Sequence, residues 1–264
     1  MKRLALIPNP FTDEFVKQEV AFYGKPELKA YGDVRFRMVK PEGRLDDFLN
    51  KNMRFMDFEV PHLTIGDDGV WMSLTPMEVQ SSCIAIHRAK GVVGTAGLGL
   101  GYYALRCAAK KEVKHVHVWE INKDVIEWFM RSFKKRKELK KITIHHGDVR
   151  KLKDQTFDWF FMDIYQTMLP DEVIKDSRKF QRNNHCTQYM WWTWEMTAIA
   201  LVLLRRIRTL MLPNDLMQLI RHWMSTDFGT GDGTALVNLE HCTDYCSDMK
   251  FTRPAFNAAK LSFC

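Results

Sequence analysis

The stretch GVVGTAGLGLGYY, residues 91–103, decides the fold of this chain. It begins as an apolar strand over about Val92–Thr95, turns through glycines at alternate positions, and continues as a helix over about Leu100–Lys110. Alternating glycines permit backbone turns that a Cβ would forbid, and they let a ligand approach the main chain. The pattern predicts a strand, a ligand-binding loop and a helix.

A second apolar run, HVHVWE, follows this helix and ends in Glu120. A carboxylate about 20 residues beyond such a loop, at the end of the next strand, is placed to accept hydrogen bonds from a ribose diol. The loop and the acid together predict a site for an adenosine-containing ligand. The alternative is that the glycines only allow the helix to pack closely on the sheet.

Three further segments extend this pattern. ITIHHGD (142–148) is a β-type run ending in Gly147-Asp148, and FDWFFMDIY (157–165) is typical of a strand buried on both faces. INKDVIEWFMRSFKKRK (121–137) has apolar residues close to helical spacing and a basic tail that suits a helix C-terminus. Alternating strands and helices predict an α/β domain with a doubly wound, mostly parallel sheet.

Ligands bind to such sheets beyond the carboxyl ends of the strands, near the point where the strand order reverses. We therefore expect a single edge of the sheet to carry the candidate site. The segments expected there are Thr95–Gly101, Glu120, Asp148 and Asp163.

From about Leu63 to Tyr165, the order and spacing of these motifs resemble class I S-adenosylmethionine-dependent methyltransferases. Within that superfold the likeness is to the spermidine synthase-like (polyamine aminopropyltransferase) branch, in which a β-hairpin and an L-T-x-x-x-E-like turn precede the glycine motif. Here Asp67-Asp68-Gly69 supplies the hairpin turn, and Leu74-Thr75 with Glu78 supplies the second turn. The resemblance implies a Rossmann-like fold and S-adenosyl-L-methionine as the cofactor.

The resemblance also implies a set of cofactor-binding residues. Glu120 would bind the ribose hydroxyls, Asp148 would contact the adenine amino group, and the glycines would line the methionine and ribose portion. The full implied set is Thr95, Gly97, Gly99, Gly101, Glu120, Ile121, Asp148 and Val149.

Two residues at the end of the fourth strand are the catalytic candidates, and the resemblance implies the position of the first. Asp163 would lie near the reacting centre, as a base or as the charge that holds an amine. Tyr165 would orient the acceptor or stack on the adenine, and the alternative is an aromatic at the core edge. Glu78 either faces the site or is an exposed acid at a helix N-terminus.

The chain departs from both family patterns. Methyltransferases usually carry an acid two residues before the first glycine of the motif, where this chain has Thr95. Aminopropyltransferases usually carry a G-G-D-G-type loop and a second acid in a D-S/T-S/T-D-P-like run, where this chain has GLGLG and Asp163-Ile164-Tyr165-Gln166. We therefore do not expect polyamine chemistry, and the absence of an N-P-P-Y or D-P-P-Y run disfavours a base-amino methyltransferase.

Three alternatives remain open. A dinucleotide-binding oxidoreductase needs G-x-G-x-x-G, and the nearest match has Ala104 at the third glycine. A non-catalytic regulatory protein that retains the nucleotide site is compatible with Thr95. A nucleic-acid-modifying enzyme would use the basic run KKRKELKK (134–141), whose other interpretation is the solvated end of a helix.

Composition places the chain among globular proteins. Its hydrophobic content is 46%, its charged content is 27%, and its net charge of +7 permits an anionic partner without demanding one. MKRLALIPNPF is too short an apolar start for a signal peptide, and Met190–Leu204 is shorter than the ~20 residues that span a bilayer. We expect a cytoplasmic protein without membrane contact, and free cysteines without a bound metal.

The remaining sequence predicts the domain organisation. Residues 1–75 form an N-terminal extension of short strands and turns, whose aromatic residues, including Tyr23, are interpreted as packing groups. Residues 76–264 form the cofactor-binding domain, in which residues 169–212 are predicted to be helical and Ala235–Leu239 to be a strand. A small-molecule acceptor is the expected partner, and a homodimer is compatible with the chain.

Overall fold

A computed structural model describes residues 10, 12–42, 45–48, 50–54, 56–67, 69–165 and 172–193 of the 264-residue chain. By its internal contacts the chain divides into two units, residues 1–164 with 183–190 and residues 165–182 with 191–264. Among the described residues, no helix has both the length and the apolar character needed to cross a bilayer.

The N-terminal part combines one helix with small antiparallel sheets. Helix α1 (Asp13–Tyr23) begins at Thr12, whose hydroxyl accepts a hydrogen bond from the Phe15 amide at 3.2 Å. Four of the strands form an antiparallel sheet in the order β1-β2-β5-β6, and the other two form a ribbon. The strands are β1 (Ala30–Tyr31), β2 (Val34–Val39), β3 (Leu45–Asp47), β4 (Asn50–Arg54), β5 (Val60–Ile65) and β6 (Val70–Ser73).

The prediction of strands and turns alone for this part was therefore wrong at α1. Its buried residues Val16, Glu19 and Tyr23 are three and four positions apart, which is helical spacing. The hairpin predicted around Asp67 and Gly69 is confirmed, because β5 and β6 pair antiparallel on either side of it.

Between residues 76 and 191 the described chain contains both helices and strands. The helices are α2 (Pro76–Arg88), α3 (Tyr102–Ala109), α4 (Lys123–Ser132) and α5 (Glu172–Asn183), with short 3-10 turns at Lys137–Lys141 and Val149–Lys151. The strands are β7 (Gly91–Ala96), β8 (Val113–Glu120), β9 (Ile142–His146), β10 (Thr156–Phe157), β11 (Trp159–Met162), β12 (His185–Cys186) and β13 (Tyr189–Trp191).

The central sheet has the order β13-β11-β7-β8-β9, and β11, β7, β8 and β9 are parallel to one another. The chain runs outward from β7 through β8 to β9 and then returns to the other side of β7 as β11. The predicted doubly wound, mostly parallel, Rossmann-like sheet is confirmed. The strand order reverses at β7, so the loop after β7 lies where such sheets bind ligands.

The fourth predicted strand is buried on both faces, as expected: Trp159, Phe160, Phe161 and Met162 are all buried. It is shorter than the 157–165 run, because Asp158 separates β10 from β11. The Asp158 carboxylate accepts a hydrogen bond from the Val92 amide at 2.7 Å, which fixes the start of β7.

Aromatic rings cover one face of the central sheet. Trp119 stacks on His145 of the neighbouring strand, with ring centroids 4.6 Å apart, and His117 Nδ1 lies 3.0 Å from His145 Nε2. Phe157 and Phe160 extend this layer across β10 and β11, with ring centroids 5.1 Å apart. The layer leaves no room for a side chain at position 94, where a Cβ would collide with both phenylalanine rings.

The region after residue 169 was predicted to be helical, and its described part contains one helix followed by two short strands. Helix α5 ends at Asn183, and the following residues form β12, which pairs with β10, and β13 at the edge of the central sheet. The prediction was wrong for 185–191, where buried Tyr189, Met190 and Trp191 suit a pleated sheet. The rest of the predicted Met190–Leu204 helix and the predicted strand Ala235–Leu239 lie outside the described residues.

Helix α1 is tied to α3 by a buried acid. Glu19 is 5% exposed, and its carboxylate accepts a hydrogen bond from the Tyr102 hydroxyl at 2.8 Å. Arg106 Nε lies 2.8 Å from the same carboxylate oxygen, and its guanidinium lies over the Phe22 ring. The charge of Glu19 is therefore compensated where it is buried.

We predict that Gly94→Ala lowers the free energy of unfolding by about 1–3 kcal/mol, because the added methyl group overpacks the Phe157 and Phe160 rings. Urea denaturation measures the change. The control is Gly24→Ala, where φ is +74° and no atom lies within 4 Å of the added Cβ, so only backbone strain of about 1 kcal/mol is expected. A Gly94→Ala variant as stable as wild type would contradict the packing of the aromatic layer.

Candidate functional site

The loop between β7 and α3 has glycines at its three alternate positions because no other residue fits. Gly97, Gly99 and Gly101 have φ values of +88°, +48° and +75°. A Cβ would collide with the Asp163 carbonyl oxygen at Gly97, with the Met72 sulfur at Gly99, and with the Phe129 ring at Gly101. Close packing of other parts of the protein on the loop is therefore one reason why glycine occupies these positions. The role of these glycines toward a ligand stays a prediction.

Glu120 and the glycine loop face each other, as the sequence predicts. The Glu120 carboxylate accepts a hydrogen bond from the Leu98 amide at 2.8 Å through one oxygen and from the Asn122 amide at 2.8 Å through the other. The carboxylate thus joins the loop after β7 to the start of α4.

Backbone hydrogen bonds hold the neighbouring strand ends level with one another. The Gly97 amide donates to the Trp119 carbonyl at 2.9 Å, and the Gly147 amide donates to the Glu120 carbonyl at 2.9 Å. The last two residues of β8 therefore bind the turns that follow both of its neighbours. The carboxyl ends of β7, β8 and β9 form one continuous edge.

The residues predicted to hold the adenine lie at the β9 end of this edge. The Asp148 carboxylate accepts a hydrogen bond from the Arg150 amide at 2.9 Å, which caps the short 3-10 turn that begins at Val149. Val149 is 3% exposed, whereas Ile121, directly after Glu120, is 66% exposed. Ile121 thus offers apolar surface beside the acid, and Val149 is part of the packed interior.

Thr95 lies inside the sheet, paired with Val118 of β8 and Phe161 of β11, and it is 2% exposed. An acid at this position would bury a charge in the middle of the sheet. Thr95, at the position where methyltransferases usually carry an acid, is therefore packed inside the sheet of this chain.

Asp163 follows β11 directly, and its amide donates to the Ala96 carbonyl at 3.0 Å. Because its carbonyl oxygen lies against Gly97, Asp163 is adjacent to the loop, as predicted. Burial raises the pKa of its carboxyl group to about 7. A carboxyl group with this pKa can exchange a proton near neutral pH.

Glu78 is a second acid that the structure brings to the same place. It lies in the first turn of α2, and burial raises the pKa of its carboxyl group to about 8, with a further contribution from the negative charge of Asp163. Glu78 is half-buried, so the interpretation of Glu78 as an exposed acid does not hold. The sequence signal was the L-T-x-x-x-E-like turn, but pairing with Asp163 depends on the tertiary fold.

The β5–β6 hairpin also reaches the site. Met72 of β6 places its sulfur against Gly99, so the hairpin covers part of the glycine loop. Sequence analysis identified the hairpin but not this side chain, since a methionine in a strand carries no functional signature.

Tyr165 belongs to the second unit, where its hydroxyl is 3.4 Å from the Asp176 carboxylate. Its predicted role toward an acceptor or an adenine stays a prediction.

The basic run 134–141, a possible metal site and the cysteines are the remaining candidates from the sequence. Lys134 and Lys135 form ion pairs with Glu27, and Arg136 pairs with Glu138, so opposite charges accompany the basic run. Within the described residues, no group of three His, Cys, Asp or Glu side chains is arranged to hold a metal ion. Cys83, Cys107 and Cys186 form no disulfide bond within the described part of the chain, and the other cysteines lie outside it.

Solved structures with a similar sheet include methyltransferases. A proposed S-adenosyl-L-methionine-dependent methyltransferase from Methanococcus maripaludis is 17% identical, with a TM-score of 0.34, and the match covers 40% of this chain and 51% of that one. A proposed RNA methyltransferase from Pyrococcus horikoshii is 18% identical, with a TM-score of 0.33 and coverage of 42% and 55%. A precorrin-8w decarboxylase from Methanobacterium thermoautotrophicum is also 18% identical, with a TM-score of 0.29 and coverage of 36% and 49%.

The match thus spans about half the length of these solved structures. No protein-family model matches the chain, and no curated protein matches its sequence. At these identities and scores the similarities do not assign an activity, and likeness to the spermidine synthase-like branch stays a prediction from sequence.

We predict that Glu78→Gln stabilises the protein at alkaline pH. The folded protein holds a proton on Glu78 that the unfolded chain releases above pH 4.5, so this contribution to stability is complete below pH 4.5 and is lost as the pH rises to about 8. The variant should exceed wild type by several kcal/mol at pH 8.5 in denaturant titrations, because each unit of pKa shift corresponds to about 1.4 kcal/mol, and the difference should shrink toward pH 5.

The control is Glu112→Gln, on an exposed turn, which should follow the wild-type stability profile at every pH. A Glu78→Gln profile that is parallel to wild type would show that Glu78 is not buried as described.

Proposed function

We propose that the chain binds S-adenosyl-L-methionine at the carboxyl ends of β7, β8 and β9 and transfers its methyl group to a small-molecule acceptor beside Asp163. The observation that carries this proposal is the contact between Glu120 and the glycine loop, which joins the two elements that recognise a nucleoside in this kind of sheet.

The residues present fit an adenosine cofactor. Each Glu120 oxygen accepts one backbone amide and keeps a further acceptor site, so the carboxylate can also accept hydrogen bonds from two ribose hydroxyls. The exposed Ile121 side chain lies beside it and is suited to pack on an adenine ring. Asp148 follows β9 at the same edge, where a carboxylate can accept a hydrogen bond from an exocyclic amine.

The bound cofactor supplies an electrophilic carbon next to a sulfonium, so the protein needs to position and desolvate the acceptor. Asp163 is the proposed proton acceptor, since its carboxylate is formed near pH 7 at the loop itself. Glu78, whose carboxyl group keeps its proton up to about pH 8, leaves a single negative charge on the pair at neutral pH.

A non-catalytic S-adenosylmethionine-binding or nucleotide-binding regulator is the second candidate. It is favoured by Thr95, which lies in the sheet interior where family enzymes usually carry an acid. Cofactor binding without transfer to any acceptor would support this candidate, and binding of a nicotinamide dinucleotide in place of S-adenosylhomocysteine would support the oxidoreductase alternative.

We predict that S-adenosylhomocysteine binds the wild-type protein in calorimetric titration and that Glu120→Ala weakens binding by about 1.5–3 kcal/mol, because charge-assisted hydrogen bonds are lost. Glu127→Ala is the matched control, since Glu127 pairs with Arg131 on the surface of α4. It should bind as wild type does. If wild-type protein gives no heat of binding at millimolar S-adenosylhomocysteine, the proposal is wrong.

We predict that transfer from labelled S-adenosylmethionine to a pool of small-molecule acceptors rises with pH through about 7, because Asp163 must be ionised to accept a proton. Asp163→Asn should reduce transfer by about 10²–10⁴-fold and leave S-adenosylhomocysteine affinity within about twofold of wild type. A pH profile unchanged in Asp163→Asn would assign the base to another group.

A further inference from the structure

Tyr23, at the end of α1, reaches the glycine loop from the far end of the sequence. Its hydroxyl donates a hydrogen bond to the Leu100 carbonyl at 3.0 Å, and both residues are fully buried. Leu100 precedes α3, whose N-cap is Gly101, so its carbonyl accepts none of the bonds within that helix. A buried carbonyl needs a partner, and Tyr23 supplies one.

This hydrogen bond begins a relay that ends at Glu120. The Leu100 carbonyl and the Gly101 amide belong to one planar peptide group, so fixing the carbonyl also orients the amide. The Gly101 amide donates to the Leu98 carbonyl at 2.6 Å, and the Leu98 amide donates to the Glu120 carboxylate at 2.8 Å. Three hydrogen bonds therefore link the N-terminal helix to the acid, and the last two meet at Leu98, whose carbonyl and amide belong to adjacent peptide groups.

The surroundings of Tyr23 hold its ring in place. Its ring meets the Phe133 ring edge to face, with centroids 5.2 Å apart, and Phe133 packs on Phe129, which occupies the space beside Gly101. Arg136 donates to the carbonyls of Phe22 and Tyr23 at 2.8 and 3.3 Å and fixes the end of α1. Burial raises the pKa of Tyr23 well above 10, against a smaller opposite effect of Arg136, so the hydroxyl stays a donor.

We propose that Tyr23 is a positioning residue, which orients the Gly97–Gly101 loop against Glu120 and so prepares the loop for its ligand. The inference rests on the proposed function only in identifying that ligand as S-adenosylmethionine. The residue lies outside the motifs that point to the site, and it acts through the Leu100 carbonyl.

The test uses Tyr23→Phe, which keeps the ring packed on Phe133 and removes only the hydroxyl. Its matched control is Tyr102→Phe, since Tyr102 is also a buried tyrosine but bonds to Glu19 instead of the loop. Both variants should lose stability. Only Tyr23→Phe should weaken S-adenosylhomocysteine binding, by roughly tenfold, because it leaves a buried carbonyl unpaired at the loop.

Amide hydrogen exchange without ligand gives a second measurement that does not depend on the cofactor. The Leu98 and Gly101 amides should exchange faster in Tyr23→Phe than its loss of global stability accounts for, whereas in Tyr102→Phe exchange at both should change only as much as the global stability does. If wild-type protein binds no S-adenosylhomocysteine but exchange at these amides still accelerates in Tyr23→Phe, the relay stands and the proposed cofactor is wrong. Unchanged exchange at Leu98 and Gly101 in Tyr23→Phe, with wild-type affinity, overturns the role of Tyr23.

Discussion

The hydrogen bonds around the end of β8 are the constraint on which the rest of the site depends. The carbonyls of Trp119 and Glu120 accept the amides of Gly97 and Gly147, and the Glu120 carboxylate accepts those of Leu98 and Asn122. Four amides from three different connections therefore converge on two residues. Because each of these donors would otherwise need another partner, the connections after β7, β8 and β9 are held together.

The glycines of the loop show that tight packing and ligand access are compatible requirements. Each occupies a left-handed backbone conformation, and each would collide with a different part of the protein if it carried a Cβ. The colliding groups are the backbone after β11, a side chain of β6 and a side chain of α4. The loop is thus enclosed by three elements that are distant in sequence, which limits its conformations before any ligand binds.

Side chains of the N-terminal part contact the glycine loop and the helix that follows it. Glu19 joins α1 to Tyr102 and Arg106 of α3, and Tyr23 reaches the loop carbonyl. The β5–β6 hairpin adds Met72 from another direction. The same site carries two half-buried acids, Asp163 and Glu78, whose raised pKa values of about 7 and about 8 let them hold a proton near neutral pH.

Much of this site was predictable because its signals are local. Hydrophobic periodicity and the glycine spacing predicted β7, α3, β8, α4 and β9, and the positions of Glu120, Asp148 and Asp163 at the strand ends followed from the parallel sheet. The same reasoning failed for α1, and it predicted helix where β12 and β13 form, since short aromatic runs are compatible with either state.

Sequence by itself determined the sheet, its parallel direction and the edge that carries the candidate site. Tertiary structure decided which groups complete that edge. Glu78 lies near enough to Asp163 for their charges to interact, Met72 covers Gly99 and Tyr23 binds Leu100 only because the fold brings together residues far apart in the chain. Periodicity records which face of an element is buried, but it carries no information about the partner that a buried side chain will meet.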